Sequence, residues 1–125
     1  DHAGHLSISY IFDYWNIYHL VLQSSDIIEG IVLGVNTAWL GGEIYTSTRV
    51  RVDRSYKGTI TSSTVTLTDF GGSIGGFTMD DGYYPRPRYK YRDEVLVFVR
   101  ADNDTLHSTL ARNQGMFLKI INPDL

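Results

Sequence analysis

Alternating side chains over residues 44–56 constrain the fold of this chain more than any other feature. An extended segment with a period of two presents one face to a core and the other face to water. The inward face would carry Thr46, Thr48, Val50 and Val52, and the wet face would carry Tyr45, Ser47, Arg49, Arg51 and Asp53. The segment ends in Tyr56-Lys57-Gly58. We therefore predict one long central strand that is buried on one side.

Shorter strands are predicted on either side of this long strand. Apolar and β-branched residues mark strands at 27–35, 65–70 and 94–99, and a final strand or pair between 107 and 121. Residues 39–42 are predicted to form a hairpin tip and residues 102–104 a turn. A glycine-rich loop is expected from residue 71 to about residue 91, in which Pro85 and Pro87 exclude a regular helix or a central strand. The strand at 94–99 is apolar on both faces, so we expect the core on one side and a helix on the other.

That helix is predicted before the first strand. Apolar residues recur there at spacings of three and four, namely Ile11, Tyr14, Trp15, Tyr18, Val21 and Leu22. This period predicts an amphipathic helix over residues 11–25, with residues 1–10 as a flexible lead-in. The order of elements favours a mainly β fold, a five-stranded barrel of the oligonucleotide/oligosaccharide-binding (OB) type over residues 26–121, flanked by the N-terminal helix. The length of 125 residues is that of a single domain.

Composition excludes several classes of function. The chain has no cysteine, which rules out disulfides, thiolate metal sites and thiol catalysis. Its formal charge of −3 argues against nucleic acid as a partner held mainly through phosphate contacts. The sequence has no apolar stretch approaching the ~18–20 residues that would span a bilayer. Because the first residue is Asp1, we expect an excised or processed domain.

Three segments resemble the netrin-like module, which includes the inhibitory domains of the tissue inhibitors of metalloproteinases. They are Ser25-Asp26-Ile27-Ile28-Glu29-Gly30-Ile31-Val32, then Tyr45, Val50-Arg51-Val52 and Tyr56-Lys57-Gly58, then Glu94-Val95-Leu96-Val97-Phe98. The inhibitors act through an N-terminal cysteine that chelates the protease zinc. Asp1 begins this chain and it has no cysteine, so the resemblance does not imply inhibition by that mechanism.

The chain is more similar still to a cysteine-free bacterial and archaeal netrin-like domain of exported proteins, sometimes found beside metalloprotease domains. The matching residues are Gly71-Gly72, then Pro87, Tyr89, Asp93 and Glu94, then Gln114, Gly115 and Phe117. Arg92 stands where that domain has a glycine. The resemblance implies an OB-like barrel outside the cytoplasm, secreted or on the cell surface. Its activity is not settled, and another protein or a protease domain is the implied partner.

The most distinctive candidate site is the basic run before the strand at 94–99. In an extended segment, Arg86, Arg88, Lys90 and Arg92 point one way and Pro87, Tyr89 and Tyr91 the other. These side chains would form a basic stripe for a phosphate, an acidic glycan or single-stranded nucleic acid. The alternative, which we favour, is a loop that packs its tyrosines on the barrel and leaves its basic groups in solvent.

A second candidate site lies on the wet face of the long strand. Tyr45, Arg49 and Arg51 could bind a base or a sugar ring on the face that OB-type folds use for ligands. The alternative, again favoured, is that the arginines form ion pairs with Asp53 or Glu43, worth a few tenths of a kcal/mol.

Other motifs point to no chemistry. The glycine loop lacks the Gly-Lys-Ser/Thr ending of a phosphate-binding loop. The four histidines cannot be assembled by spacing into a catalytic set or a metal site, so we expect neither catalysis, nor metal, nor cofactor. Asn103-Asp104-Thr105 fits the N-glycosylation acceptor pattern. We expect a non-enzymatic binding module of an exported or surface protein, or alternatively a domain for an anionic ligand, either single-stranded nucleic acid or an acidic glycan.

Overall fold

The computed structural model of the protein describes residues 16–80, 82, 85–103 and 106–119. The chain is mainly β, as predicted, with one short helix. In chain order the elements are α1 (Ile17–Gln23), β1 (Asp26–Leu40), β2 (Glu43–Lys57), β3 (Thr64–Phe70), β4 (Gly72–Ile74), β5 (Phe77–Met79), β6 (Glu94–Ala101), β7 (His107–Thr109), a 3-10 turn (Arg112–Gly115) and β8 (Met116–Leu118).

Five of these strands close a ring of sheet. The order around the ring is β1, β2, β3, β7 and β6, and β6 returns to β1. Every pairing in the ring is antiparallel except that of β3 with β7, which is parallel at Leu67 and His107. Strand β8 pairs with residues 95–97 of β6, on the edge of β6 that faces β7 and away from β1. Without the pairing of β6 with β1, each of these strands would have an unpaired edge. Closure of the ring removes that edge along the stretch where the two strands pair.

The long central strand is confirmed as β2, and β1 is equally long. The two strands form one hairpin, whose tip at Gly41 and Gly42 has positive φ angles of 56° and 83°. Positive φ at both central residues suits the right-handed twist of the strands, which explains the pair of glycines. The predicted first strand was too short, because β1 continues past Val35 to Leu40.

The inside of the ring is filled by the alternating residues of β2 and by their neighbours. The main buried cluster comprises Ile28, Val32, Val50, Val65, Leu67, Tyr89, Val95, Val97 and Val99. Thr46 and Thr48 are also buried, so the predicted inward face of β2 is confirmed. Gly30 allows the close approach expected of a strand glycine, since a side-chain carbon there would collide with the carbonyl oxygen of Arg51.

Helix α1 lies against the outer face of β6. Leu20 is buried in a second cluster with Ile27, Phe98 and Leu110, which confirms that β6 has the core on one side and the helix on the other. The predicted buried face of the helix was wrong for Tyr18, Val21 and Leu22, which are exposed. Leu20 is the buried residue of this seven-residue helix. Residues 1–15, which include the start of the predicted helix and the lead-in, lie outside the described residues.

The chain between β3 and β6 is not one loop. It opens with the hairpin of β4 and β5, which turns at Gly75 and Gly76 with positive φ angles of 56° and 94°. This corrects the prediction of a continuous loop from residue 71. The two glycines flanked by Ser73-Ile74 and Phe77-Thr78 were a sequence signal for a two-residue hairpin turn. The predicted final pair of strands is confirmed as β7 and β8.

Candidate binding groove

The predicted wet face of β2 does face outward. Arg49 is exposed, and Arg51 forms an ion pair with Asp53, with 2.8 Å between Arg51 Nε and Asp53 Oδ1. This contact raises the pKa of Arg51 and lowers the pKa of Asp53. The ion-pair interpretation of Arg51 is therefore confirmed. Tyr45 donates its hydroxyl hydrogen to Glu43 Oε1 at 3.3 Å.

The basic run divides into an alternating part and a turn. Pro87 and Tyr89 are buried, while Arg88 and Lys90 are exposed, as the extended pattern predicts. The prediction was wrong for Tyr91, which is 68% exposed. The alternation stops there because Asp93 N–H bonds to Lys90 O at 3.0 Å and closes a turn across Tyr91 and Arg92.

Arg92 occupies the left-handed position of that turn. Its φ is 74°, in a region where glycine is at ease and other L residues are strained. The Arg92 guanidinium lies 5.9 Å from the centre of the Tyr91 ring, and both side chains are exposed. The turn is fixed to β1 by two bonds, Arg92 N–H to Val32 O at 2.8 Å and Val32 N–H to Asp93 O at 2.9 Å.

Arg86 turns away from this exposed run. A side-chain carbon built on Gly71 would lie 3.4 Å from Arg86 Cδ and 3.6 Å from Arg112 Nη2, so both arginines approach the same glycine. Burial, Arg88 and Arg112 lower the pKa of Arg86, and Asp80 opposes them. Arg88 and Arg112 are thus both close enough to Arg86 for their charges to interact with it.

Arg112 is held at the rim of an open groove of ≈ 920 Å³. The groove lies on the outside of the ring, between the β2–β3 face and the segment that follows β6. Its lining residues include Leu40, Tyr45, Thr68, Phe70, Arg100, Asp102, Leu106, Ser108 and Arg112. Of the seven residues predicted to bind a ligand, Tyr45 alone lines it. Arg49, Arg51, Arg86, Arg88, Lys90 and Arg92 do not.

Two aromatic rings and a guanidinium contact one another within this groove. The Tyr45 and Phe70 rings meet edge to face, with their centres 5.7 Å apart. Arg112 Nη2 donates to Phe70 O at 2.7 Å, and its guanidinium carbon lies 5.9 Å from the centre of the Phe70 ring. These contacts fix Arg112 beside the aromatic pair before any ligand arrives.

Beneath the groove, buried polar groups form a hydrogen-bonded chain. Asp69 accepts from Thr109 N–H at 2.8 Å and from Thr109 Oγ1 at 3.0 Å, and the Tyr89 hydroxyl lies 2.8 Å from Thr109 Oγ1. Burial raises the pKa of Asp69 to about 6, opposed by the Thr109 bonds and by Arg112. Burial also raises the pKa of Tyr89 well above its usual range. The chain connects the core to the floor of the groove.

Sequence reasoning missed Phe70 and Arg112. Phe70 carried a usable signal, since it falls on the same face of its strand as Thr66 and Thr68 and pairs with Tyr45 across the sheet. Arg112 carried none, because it is 42 residues from the carbonyl that it binds. Only the closure of the ring brings the two together.

The remaining predicted sites are simpler. Asn103 is exposed, and its side-chain oxygen accepts from Leu106 N–H at 2.9 Å, while part of the predicted turn at residues 102–104 lies outside the described residues. Residues 104 and 105 of the glycosylation pattern, and His2 and His5, lie outside the described residues. Among the residues that the structure describes, no group of three or more His, Asp or Glu side chains could hold a metal ion.

Comparisons with known proteins give no relative. No family model, no curated protein and no solved structure matches the chain. Within the described ranges, no helix is long and apolar enough to cross a membrane.

Proposed function

We propose that the chain is a non-enzymatic binding module of an exported or surface protein, built on an OB-like barrel. The closed ring supports this, because its five strands follow one another in space as β1, β2, β3, β7 and β6. In this order β7 lies next to β3, although β6 is the earlier of the two in the chain. This is a Greek-key arrangement, as in the five-stranded OB fold. We include in the same proposal what the netrin-like resemblance implies. These implications are an exported location and a partner that is another protein or a protease domain.

The ligand we propose for the groove is an acidic glycan. The observation that carries it is the contact of Tyr45, Phe70 and Arg112 within one open groove. An aromatic face packs against the apolar face of a sugar ring, and a guanidinium pairs with a carboxylate or sulfate in a two-bond fork. Hydroxyl groups of Thr68 and Ser108 lie in the same groove and can bond to sugar hydroxyls.

An acidic sugar fits better than a neutral one because of the charges at the rim. Arg86, which interacts with both Arg88 and Arg112, adds positive charge beside Arg112, while Arg100 forms an ion pair with Asp102 at 2.6 Å. Single-stranded nucleic acid is the second candidate, supported by the same rings and arginines. The net charge of −3 repels either polyanion, so the two probes compared below, and not the charge, decide between them.

Calorimetric titration with an oligogalacturonate tests this function. The neutral control is a cello-oligosaccharide of equal length, and a single-stranded DNA oligonucleotide is the third probe. We expect binding of the acidic sugar alone, weakening between low and high salt as charge contacts are screened. Tyr45→Ala should weaken it about tenfold, the equivalent of about 1.4 kcal/mol for one lost ring contact. Tyr56→Ala is the matched control, since Tyr56 is an exposed tyrosine of the same strand outside the groove.

Four outcomes would overturn the assignment. Equal affinity for the acidic and neutral sugars would remove the role of the arginines. Preference for the DNA oligonucleotide would replace the glycan with nucleic acid. Turnover of the bound oligosaccharide would make the protein an enzyme. Loss of binding in Tyr56→Ala as well as Tyr45→Ala would place the site outside the groove.

A further inference from the structure

One edge of β1 has a strand partner along only part of its length. Asp26 to Ile31 pair with β6, and Val32 bonds to the turn at Arg92 and Asp93. Beyond Val32, among the residues that the structure describes, no strand pairs with this edge as far as Leu40. In an antiparallel hairpin every second residue directs its N–H and C=O away from its partner strand. Residues 33–40 therefore present a row of backbone donors and acceptors, which we call the β1 edge.

Past the register shift between Val32 and Gly34, the β1 edge lacks the features that keep strand edges apart. Its sequence, Leu33-Gly34-Val35-Asn36-Thr37-Ala38-Trp39-Leu40, contains no charged residue and no proline. Exposed edges in monomeric proteins are usually shortened, bulged, or protected by lysine or proline. A backbone edge of this kind is best satisfied by another extended strand.

Apolar side chains lie beside the same edge. Val35 and Trp39 are 42% and 45% exposed, although their side chains fall on the inward face of the hairpin. Trp39 meets Phe77 of β5 edge to face, with ring centres 6.0 Å apart, and Phe77 is 67% exposed. A strand added to the edge would cover part of this apolar surface.

Charges at the two ends of the β1 edge indicate which strand would pair with it. Arg92, exposed, stands at the end next to Val32, and Glu43, also exposed, stands just past the glycine turn at the other end. An antiparallel copy of the same edge would place each arginine near the glutamate of its partner. The uncharged stretch between them would pair with itself without repulsion. A parallel copy would instead bring like charges together.

We propose that two copies of this chain associate through antiparallel pairing of their β1 edges. The two-fold axis passes near Thr37, because the Arg92 turn limits the edge at one end and Gly41 limits it at the other. The result is a continuous sheet in the order β2, β1, β1 of the partner and β2 of the partner. The contact uses the same surface of both copies, as a closed dimer requires.

Analytical ultracentrifugation over a wide concentration range tests the dimer. We expect a concentration-dependent monomer–dimer equilibrium for the unaltered chain. Val35→Lys replaces the apolar contact that Val35 would make with Trp39 of the partner subunit by a charge, and should raise the dimer dissociation constant at least tenfold. Ser55→Lys adds the same charge at an exposed position of β2 outside the edge, and should leave it unchanged. Circular dichroism of each variant confirms that it is folded.

A charge exchange tests the antiparallel register. Glu43→Arg and Arg92→Asp should each weaken the dimer severalfold, and the double variant should restore most of the loss. Asp tolerates the left-handed backbone at position 92 better than most residues. A chain that stays monomeric at high concentration overturns the proposal. Dimerisation that Val35→Lys leaves intact, or a double variant no better than the single ones, also overturns it.

Discussion

Gly58 and Asp26 fit together only because position 58 has no side chain. A carbon built on Gly58 would collide with Asp26 Oδ1, and the φ of Gly58 is +101°. Asp26 Oδ1 accepts from Thr59 N–H at 2.8 Å and from Ile60 N–H at 3.1 Å. Next to this contact, Lys57 Nζ donates to Val21 O at 2.7 Å, at the end of α1. The Lys-Gly ending of the long strand therefore connects three elements: β1, β2 and the helix.

Gly58→Ala should lower the free energy of unfolding by about 2–3 kcal/mol, because the backbone strain costs about 1–2 kcal/mol and displacing Asp26 weakens its hydrogen bonds. Urea denaturation measures the change. Gly34→Ala is the matched control, since a side-chain carbon there meets nothing within 4 Å. We expect that variant to match or slightly exceed the unaltered chain. Equal losses in the two variants would contradict the collision at Gly58.

Replacement of Arg92 by glycine and by alanine isolates the cost of its backbone. Both changes remove the guanidinium and its contact with Tyr91, so their difference reports the left-handed φ of 74°. We expect Arg92→Gly to be more stable than Arg92→Ala by about 1 kcal/mol, the usual cost of this conformation for a residue with a side chain. Thermal or urea unfolding of the two variants decides the order. An alanine variant as stable as the glycine one would mean that the turn relaxes away from this conformation.

Periodicity in the sequence was enough to predict β2, β3, β6 and the placement of a helix on β6. Strand β3 keeps one phase of alternation from end to end and β2 keeps it as far as Val52, so their buried faces can be counted. Strand β6 was predicted from an apolar run that is covered on both faces. Strand β1 has no single phase of alternation. Its register against β2 shifts between Ile27 and Ile28, between Glu29 and Gly30, and between Val32 and Gly34. The apolar residues of β1 therefore mark no single buried face: Ile28 and Val32 enter the main core, and Ile27 enters the second cluster.

Only part of the groove could be predicted from the sequence, and the reason differs from the one that applies to β1. Tyr45 lies on a face whose exposure follows from period two. Arg112 reaches the groove from a 3-10 turn in which Ala111 and Arg112 have φ angles of 55° and 56°. No residue in that segment is a glycine until Gly115, so composition gave no sign of left-handed backbone. Contacts made by ring closure depend on the whole chain, and local patterns do not record them.

Asp69 should make the stability depend on pH in the opposite sense to most carboxylates. Burial raises its pKa to about 6 in the folded protein, against an ordinary value of 3.8. The folded state thus holds the proton more tightly than the unfolded state does. Its stabilising contribution is complete below about pH 4, falls between about pH 4 and 6, and is absent above that range. A shift of about two pKa units corresponds to about 3 kcal/mol.

Urea unfolding from pH 4 to pH 8 of the unaltered chain and of Asp69→Asn measures this contribution. The amide cannot ionise, so the variant should gain relative to the unaltered chain as pH rises through the window. Asp53→Asn is the control for an exposed carboxylate, and its difference from the unaltered chain should not grow over that window. Parallel curves for Asp69→Asn and the unaltered chain would show that Asp69 titrates normally.

Thr46 and Thr48 offer a matched pair of buried hydroxyls on one face of β2. Thr46 Oγ1 donates to Gly71 O at 2.6 Å, whereas Thr48 Oγ1 has no hydrogen-bond partner within the described part of the chain. Thr48 is fully buried at 0% exposure. A buried hydroxyl without a partner carries a desolvation cost that a methyl group of the same shape avoids.

Thr48→Val should therefore raise the free energy of unfolding by about 1 kcal/mol, since it removes an unsatisfied polar atom from the core. Thr46→Val should lower it by about 1–2 kcal/mol, because it leaves the Gly71 carbonyl without that donor. Urea denaturation of both variants measures the two changes, which have opposite signs for the same chemical substitution. A loss of stability in Thr48→Val would show that its hydroxyl is hydrogen-bonded after all. The partner would then be a buried water or a residue outside the described ranges.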